Sequence, residues 1–484
     1  MKKSSKIAIG AALSVLVLAG AGWWLLSGDE ANVPFAEVTG TDPKLEEEFD
    51  AETIPTVSIA KPVGWPDGAA PKAASGLAVT RFAEGLEHPR TLLTLPNGDV
   101  VAALTGAPAQ SNPGGIVGWV MGRLMTRAGA GAPSPDKLVL LRDGDGDGKA
   151  EQRFVLREDL RSPSGLAYGG GRLFVANHDA LLSFAFEPGQ TAIQGEPEKL
   201  MDLPAAGNHW MRNILLSPDG NNIYIAVGSA SNIGENGMEA EQGRAVIWEY
   251  DLKGKSRRQY AAGLRNPNGL GWNPATGELW TTVNERDMLG SDLVPDYLTN
   301  VPVGAQYGWP WVYWRNKVDR RVKDPMPLYL TEYARRPEYA LGPHVAALGL
   351  AFTQEGHRMG DAFANGAFIA QHGSWNRKPK SGYDVVFVKF DERGNPVGKP
   401  VPVLTGFLTG EGTTRGRPTW LSWDRQGALL VSDDTAGIIW RVMAPGAKPA
   451  AKPQVVKSTP LPSQRELRGD RAVATFKDDY VEEN

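Results

Sequence analysis

The chain has no cysteine among its 484 residues. Disulfides, iron–sulfur clusters, cysteine-ligated zinc and thiol catalysis are therefore excluded. The absence says little about compartment, because a large core needs no covalent staple. Histidine is scarce, with six in the whole chain. Net charge is small as well, formally −4, which gives no broad attraction to nucleic acid. No Gly-x-Gly-x-x-Gly follows a strand-like run, so a Rossmann nicotinamide site has no support. A Walker A loop, a His-Glu-x-x-His pair and a Gly-x-Ser-x-Gly elbow are absent too. No strand alternates with a long amphipathic helix, which argues against a doubly wound α/β fold.

What is present begins with a hydrophobic run. Lys2, Lys3 and Lys6 precede Ile7–Leu26, about twenty uncharged residues, near the length that crosses a bilayer. Lysine-rich flanks stay cytoplasmic. Residues 1–27 are expected to be a signal anchor holding the rest on the periplasmic side of the inner membrane. The alternative is a signal peptide cleaved near Ala19-Gly20-Ala21, leaving a soluble periplasmic protein. Residues 28–75, acidic and then rich in Pro, Ala and Gly, read as a linker. Residues 446–484 read as a disordered charged tail.

Between these lies a loose repeat over residues 76–445. Each unit has a Pro or Gly at its entry, an apolar strand, a polar turn and a second apolar strand. Examples are "HPRTLLTLPNGDVVAAL", "SPSGLAYGGGRLFVAN", "MRNILLSPDGNNIYIAVG", "NPNGLGWNPATGELWTTVN", "ALGLAFTQEG…GAFIAQHG" and "RPTWLSWDRQGALLVSDD". Alternation with Gly, Pro, Asn or Asp at the bend is hairpin chemistry. A third strand often follows, as in "RAVIWEYDL". The expected fold is all-β, a six-bladed β-propeller, with five or seven blades as alternatives. Gly114–Asp136 interrupts the first unit, and Ile116–Arg127 within it could form a short helix.

Propellers gather ligands where strand ends converge on the axis. Residues entering each inner strand should therefore meet: His88 and Arg90, Ser162 and Pro163, His209 and Arg212, Arg265 and Asn266, His344, then Arg415 and Arg417. An axial group of arginines suits a small polyanion, because guanidinium groups pair with carboxylates bidentately. In "NERDMLGSDLVPDYL", Glu285, Asp287 and Asp292 with loop carbonyls offer hard oxygen ligands for calcium. "RDGDGDGKA" is a second calcium-like run, but Phe154 stands where an EF-hand loop closes with a carboxylate. It reads as a tight hairpin turn, with weak calcium binding as the alternative, rather than as a catalytic site.

The ordered set "NHWMRNILLSPDG", "GLRNPNGLGWNP", "NERDMLGSDLVPDYL", "YGWPW", "GPHVAALGLAF", "QHGSWNR" and "TRGRPTWL" resembles the sorbosone dehydrogenase branch of the pyrroloquinoline-quinone (PQQ) dependent sugar dehydrogenases. It is also similar to the soluble glucose and aldose sugar dehydrogenases. The likeness covers about residues 76–443. It implies a six-bladed propeller with PQQ on the axis and calcium holding the cofactor. By the resemblance His209 is the catalytic base, and Arg265 sits beside the reactive quinone oxygen with Asn266 next to it. Arg415 and Arg417 match an Arg-x-Arg pair gripping a PQQ carboxylate, and Arg377 in "HGSWNR" matches a cofactor-binding lysine. His344 falls where glucose-active members carry a threonine touching the cofactor. Arg212 joins the cofactor-binding set, and Asn284 to Met288 match the stretch whose carbonyls hold calcium.

Two departures weaken an assignment to glucose. Gly228-Ser229-Ala230-Ser231-Asn232 lacks the acidic residue that follows the histidine's hairpin in glucose-active relatives, and Ser162-Pro163 replaces a substrate-placing glutamine. The expected activity is oxidation of a sugar or sugar aldehyde, with electrons leaving to a cytochrome or a quinone. A calcium-dependent propeller lactonase and a non-catalytic glycan- or protein-binding propeller are the alternatives. The lactonase leaves the ring of arginines unexplained.

Overall fold

The computed structural model describes residues 28–46, 51–52, 55–108, 133–205, 207–410 and 412–456. The expected anchor at 1–27 and the expected helix at 116–127 lie outside the described residues. Among the described residues, no helix is long and apolar enough to cross a membrane.

Six mainly antiparallel sheets form the body, four of them with four strands and two with five. Their inner strands are Pro89–Thr94, Gly165–Gly169, Ile214–Leu216, Asn266–Trp272, Ala347–Phe352 and Pro418–Trp423. These are the first strands of the six repeat units. Each packs beside the next, and Pro418–Trp423 returns to lie against Pro89–Thr94. We number the blades I to VI in that order.

Local chemistry makes the hairpins. In blade III, Gly220 takes φ 73° and donates its N–H to the Ser217 carbonyl at 2.9 Å, closing the Pro-Asp-Gly turn. The ring closes by a strand exchange of ends. Ala78–Ala83, from before blade I, pairs antiparallel with Ile438–Met443, so the first strand of the body completes the last blade. That pairing removes the open edge a linear array of sheets would leave. The core lies between blades. Trp280 of blade IV meets Phe352 and Phe390 of blade V edge-to-face, with centroids 6.2 and 5.1 Å away.

The axis is held by a repeated device. In blades IV, V and VI the inner strand slips register against its second strand, at Pro267/Leu270, Ala347/Leu350 and Pro418/Leu421. The bulged residues then lean onto the next blade. A Cβ on Gly269 would sit 2.4 Å from the Leu348 carbonyl oxygen, and one on Gly349 would sit 2.7 Å from the Trp420 Cα. Only a residue without a side chain allows that approach. A hydroxyl of the second strand satisfies the freed backbone groups. Thr282 Oγ1 accepts from the Gly269 N–H at 2.9 Å and donates to the Leu348 carbonyl at 2.7 Å. Ser432 Oγ does the same between the Trp420 N–H (2.9 Å) and the Arg90 carbonyl (3.1 Å).

Two expectations from composition are corrected. Residues 28–75 are not a free tether where they are described. Gly40 and Ala340 exchange backbone hydrogen bonds at 2.9 and 2.8 Å, and Val38 and Ala60 are fully buried. Lys61–Pro62 pairs parallel with Thr413–Thr414, and Lys72–Ala73 extends the outer edge of blade V along Pro396–Thr405. Edge strands offer unpaired N–H and C=O groups to any extended segment, whatever its hydrophobic pattern. The start of the expected tail also packs: Ala450 donates to the His357 carbonyl and Val456 to that of Ala275. Residues 457–484 of that tail lie outside the described residues.

Replacing Thr282 by Val keeps the shape but leaves the Gly269 N–H and the Leu348 carbonyl unpaired. The expected loss is about 1–3 kcal/mol of stability, read by denaturant unfolding, and Thr282→Ser should recover most of it.

Candidate active site

Entries to the inner strands and exits from the second strands meet at one end of the ring. Cross-blade hydrogen bonds weld that end together. The Ser229 N–H of blade III donates to the Arg265 carbonyl of blade IV at 2.7 Å, and Asn284 Nδ2 of blade IV donates to the Ala347 carbonyl of blade V at 2.7 Å.

His209 precedes the inner strand of blade III. Its Nδ1 lies 2.9 Å from the Ser229 carbonyl and 3.0 Å from Ser229 Oγ. A carbonyl only accepts, and Ser229 Oγ donates its own proton to Ser231 O at 2.7 Å. Nδ1 therefore carries the proton, and Nε2 keeps a lone pair. Burial, with the Arg265 charge second, pushes the imidazole pKa down to about 3, so it stays neutral. Gly228 makes room here. A Cβ on it would stand 2.3 Å from Asn266 Oδ1 and 2.6 Å from the His209 Cβ. Asn266 is thus brought against the histidine, while its Nδ2 donates to Asn284 Oδ1 at 3.2 Å.

Arg265 is buried at the centre of a dense network. Nε donates to Asn232 O at 3.1 Å, and Nη2 reaches Asn232 Oδ1 at 3.0 Å and Asp287 Oδ2 at 2.8 Å. Nη1 donates to the Glu285 carbonyl. One Nη1 hydrogen remains for a ligand, from the five a guanidinium carries. Asp287 is well below the usual carboxylate range: the opposing effect of burial is overcome by the nearby Arg265 charge, the adjacent His344 and the bond from Asn376. Asn376 Nδ2 binds Asp287 Oδ1 at 2.9 Å.

Several residues expected to grip a cofactor are committed elsewhere. Arg212 is fully buried. Its Nη1 donates to the His209 and Met211 carbonyls, both at 2.8 Å, and Nη2 to Pro204 O at 2.6 Å. It braces the loop that carries His209 through these bonds, while its buried Nε keeps no partner. Arg377 is buried likewise, with Nε on Ser291 O at 2.8 Å, Nη1 on Pro379 O at 2.6 Å and its guanidinium over Phe35. His344 has Nε2 on Gly290 O at 3.0 Å and Nδ1 3.7 Å from Asp287 Oδ1, so it orients the acid. The nearby Asp287 carboxylate outweighs its burial and raises its pKa. The Arg415–Arg417 pair diverges. Arg415 lies over the Trp65 ring of the N-terminal segment, 5.5 Å from the centroid. Arg417 lies over Tyr383, donates to its hydroxyl at 3.2 Å, and leaves a buried Nε without a partner.

The expected side-chain metal ligands do not assemble. Glu285 Oε2 faces its neighbour Arg286, accepting from N and Nε at 3.0 Å each. Asp292 Oδ2 accepts from the Asn32 and Val33 N–H groups at 2.6 and 2.9 Å, and Oδ1 faces Arg377 at 3.5 Å. The carbonyls of Asp287 and Met288 do converge, on Arg321 Nη1, 2.9 Å from each. Arg321 is itself held by Asp319 through Nε at 2.9 Å and Nη2 at 2.7 Å. Among the described residues, the acidic side chains close enough to share one ion are Asp143, Asp145, Asp147 and Glu151. Glu151 supplies the carboxylate that Phe154 does not. These groups already serve the turn's backbone N–H groups, for example Gly146 to Asp143 Oδ1 at 2.7 Å and Gly144 to Glu151 Oε2 at 2.9 Å.

Sequence reasoning missed the second-strand exits. Ser229, Asn232, His372 and Asp434 all reach this end of the ring. His372 Nε2 lies 3.1 Å from both oxygens of Asp434, which also takes Arg90 Nη1. The signal was in the repeat: a polar residue follows every second strand, in "VANHD", "AVGSA", "TVNERD", "AQHGS" and "VSDDT".

Comparison with known proteins bears on this site. The sequence model of the TrAA12-like family matches residues 137–302 and 329–445. An uncharacterized protein of Borreliella burgdorferi is 26% identical over 305 residues, 61% of this chain and 79% of that protein. The pyrroloquinoline quinone-dependent pyranose dehydrogenase of Coprinopsis cinerea is 25% identical over 429 residues, 75% of this chain. The match spans 57% of that enzyme's length. In structure, the calcium form of the Trichoderma reesei carbohydrate-active enzyme family AA12 protein superposes with TM-score 0.62 at 19% identity, covering 78% of this chain and 97% of that one. The holo form of the Coprinopsis cinerea pyranose dehydrogenase PQQ domain gives TM-score 0.60 at 21% identity, covering 80% and 100%. At these identities the structural likeness bears on fold.

Arg321→Ala frees the Asp287 and Met288 carbonyls while Asp319 keeps its charge. Calcium affinity, measured by calorimetry, should rise about tenfold or more on losing a cation from that position. In an NMR titration of the protein without added cofactor, the His209 ring should stay neutral throughout the range where an ordinary histidine protonates, because burial and the Arg265 charge both oppose the charged form.

Proposed function

This chain belongs to the TrAA12-like family, and on that premise we propose that it is a PQQ-dependent oxidoreductase acting on a sugar or sugar aldehyde of the sorbosone or aldose type. The observation that carries the reading is His209: a neutral imidazole with its lone pair on Nε2, set against Asn266 and beside Arg265 at the axis.

The residues present fit a tricarboxylate quinone. Arg417 has a buried Nε and Gln371 a buried Nε2 without a partner, donors that suit carboxylates, while the unpaired Oδ1 atoms of Asn177, Asn213 and Asn376 can only accept and so suit a donor of the guest. Buried polar atoms are normally paired, so such a concentration suits a polar guest. Arg265 and Arg417 would hold the cofactor from blades IV and VI, with Asn266 and Asn284 beside them. PQQ, when bound, supplies a hydride acceptor. A calcium ion at the Asp287 and Met288 carbonyls would share them with Arg321.

The chain's own part is proton handling and positioning. His209 Nε2 takes the hydroxyl proton of the alcohol, or of a hydrated aldehyde, as the adjacent C–H leaves as hydride. Ser229 holds Nδ1–H and so fixes the tautomer, the task an acidic orienter performs in other histidine bases. Arg212 fixes the loop beneath. Arg265 faces the region where negative charge develops, its cationic form secured by Asp287. We also place the chain on the periplasmic side of a membrane, from the lysine-flanked run Ile7–Leu26, with a cytochrome or quinone as electron acceptor.

Titrating purified protein with PQQ, followed by absorbance with and without calcium, tests the reading. Stoichiometric PQQ binding with dye reduction by aldoses is expected; dye reduction that persists without PQQ would sink it. His209→Ala should lower kcat about 10²–10⁴-fold while PQQ still binds. Arg417→Ala should weaken PQQ binding about ten- to a hundredfold, the worth of one charge-assisted hydrogen bond.

A further inference from the structure

Resting on that reading of function, we propose that Arg90, Trp210, His372 and Asp434 form the subsite that holds the ring of an uncharged sugar beside His209. The four come from blades I, III, V and VI, so they converge across the axis. Trp210 directly follows the base. The Arg90 guanidinium lies over the Trp210 ring, 5.5 Å from its centroid, and its Nη1 pairs with Asp434 Oδ2. His372 Nε2 is 3.1 Å from both Asp434 oxygens, and Thr435 Oγ1 donates to Oδ1 at 3.0 Å.

Three features distinguish this group from a structural ion pair. First, Arg90 is poorly satisfied. Its Nε and Nη2 point at the Met211 sulfur, at 3.4 and 3.3 Å. A thioether is a weak acceptor, and a hydroxyl would serve those N–H groups better. Second, Asp434 is held ionised despite burial, by the Arg90 charge and by bonds from His372 and Thr435. It accepts the His372 Nε2 proton, which leaves Nδ1 as a lone-pair acceptor. Among the described residues Nδ1 has no hydrogen-bond partner, and the His372 side chain is 17% exposed. Third, the charges of Arg90 and Asp434 cancel. The groups offered are N–H donors, one imidazole acceptor and an aromatic face. That set matches a neutral polyol ring better than a uronate, whose carboxylate would meet Asp434, or an apolar alcohol, which would leave the polar groups unpaired.

The test compares His372→Leu, which removes the acceptor, with His372→Gln, whose carbonyl replaces it. Hexose binding is read by saturation-transfer NMR, which needs no cofactor. In PQQ-loaded protein, kcat/KM is compared for a hexose and for glyceraldehyde, which lacks the ring. Expected are loss of hexose signal in His372→Leu, a fall of about tenfold in the hexose-to-glyceraldehyde kcat/KM ratio, and recovery of both in His372→Gln. PQQ titration of each variant separates this from loss of the cofactor site. Unchanged hexose binding in His372→Leu would overturn the subsite. So would equal losses on both substrates. A wild-type protein that binds hexose but does not take PQQ would leave the subsite standing and remove the oxidoreductase reading instead.

Discussion

Backbone-to-backbone packing around the axis is the constraint from which the rest of this structure follows. Six inner strands must approach closely enough to close a ring, and each brings N–H and C=O groups into the crowded space around the axis. Glycine at 269 and 349 removes the Cβ that would collide with the next blade. Thr282 and Ser432 then carry the hydrogen bonds across the gap. The bulges of blades IV and VI lie just inside the entries that carry Arg265 and Arg417, whereas blade III brings His209 to the same end without one.

Around that joint, arginine plays two physically different parts. Arg212 and Arg377 are buried among carbonyl oxygens and brace loops. A guanidinium suits this work because its donors lie in a rigid plane and it remains charged; burial and the Arg244 charge lower the Arg212 pKa only to about 9. Arg265, Arg90 and Arg417 are each left partly unsatisfied, by one free hydrogen, by a sulfur and by an orphaned Nε. Arg212 also keeps a buried Nε without a partner, so the two parts differ in position at the axis more than in completeness. Acids that accompany them follow the same division. Asp319 and Asp292 serve protein groups only, whereas Asp287 and Asp434 hold an arginine and a histidine in place at the axis.

Much of this was legible in the chain. The alternation in "MRNILLSPDGNNIYIAVG" and its five counterparts locates every inner and second strand, because strand periodicity and turn residues are local properties. The repeat also places His209 and Arg265 together, since equivalent positions of a ring share an axis. Local pattern was silent on the packing of residues 28–75, which depends on blade edges remote in sequence. It was equally silent on Glu285 and Asp292, which read as metal ligands until Arg286 and Arg377 are seen to face them.

The sequence by itself determined the all-β architecture, the repeating hairpin unit and the end of the ring where the inner-strand entries gather, because each follows from spacing along the chain. Only the tertiary structure decided which cations remain available, that Ser229 rather than an acid orients the histidine, and that His372, Asp434 and Arg90 meet beside Trp210. Those outcomes depend on hydrogen-bond partners contributed by other blades, and a side chain's partners across a fold are set by packing in three dimensions, which spacing in one dimension does not encode.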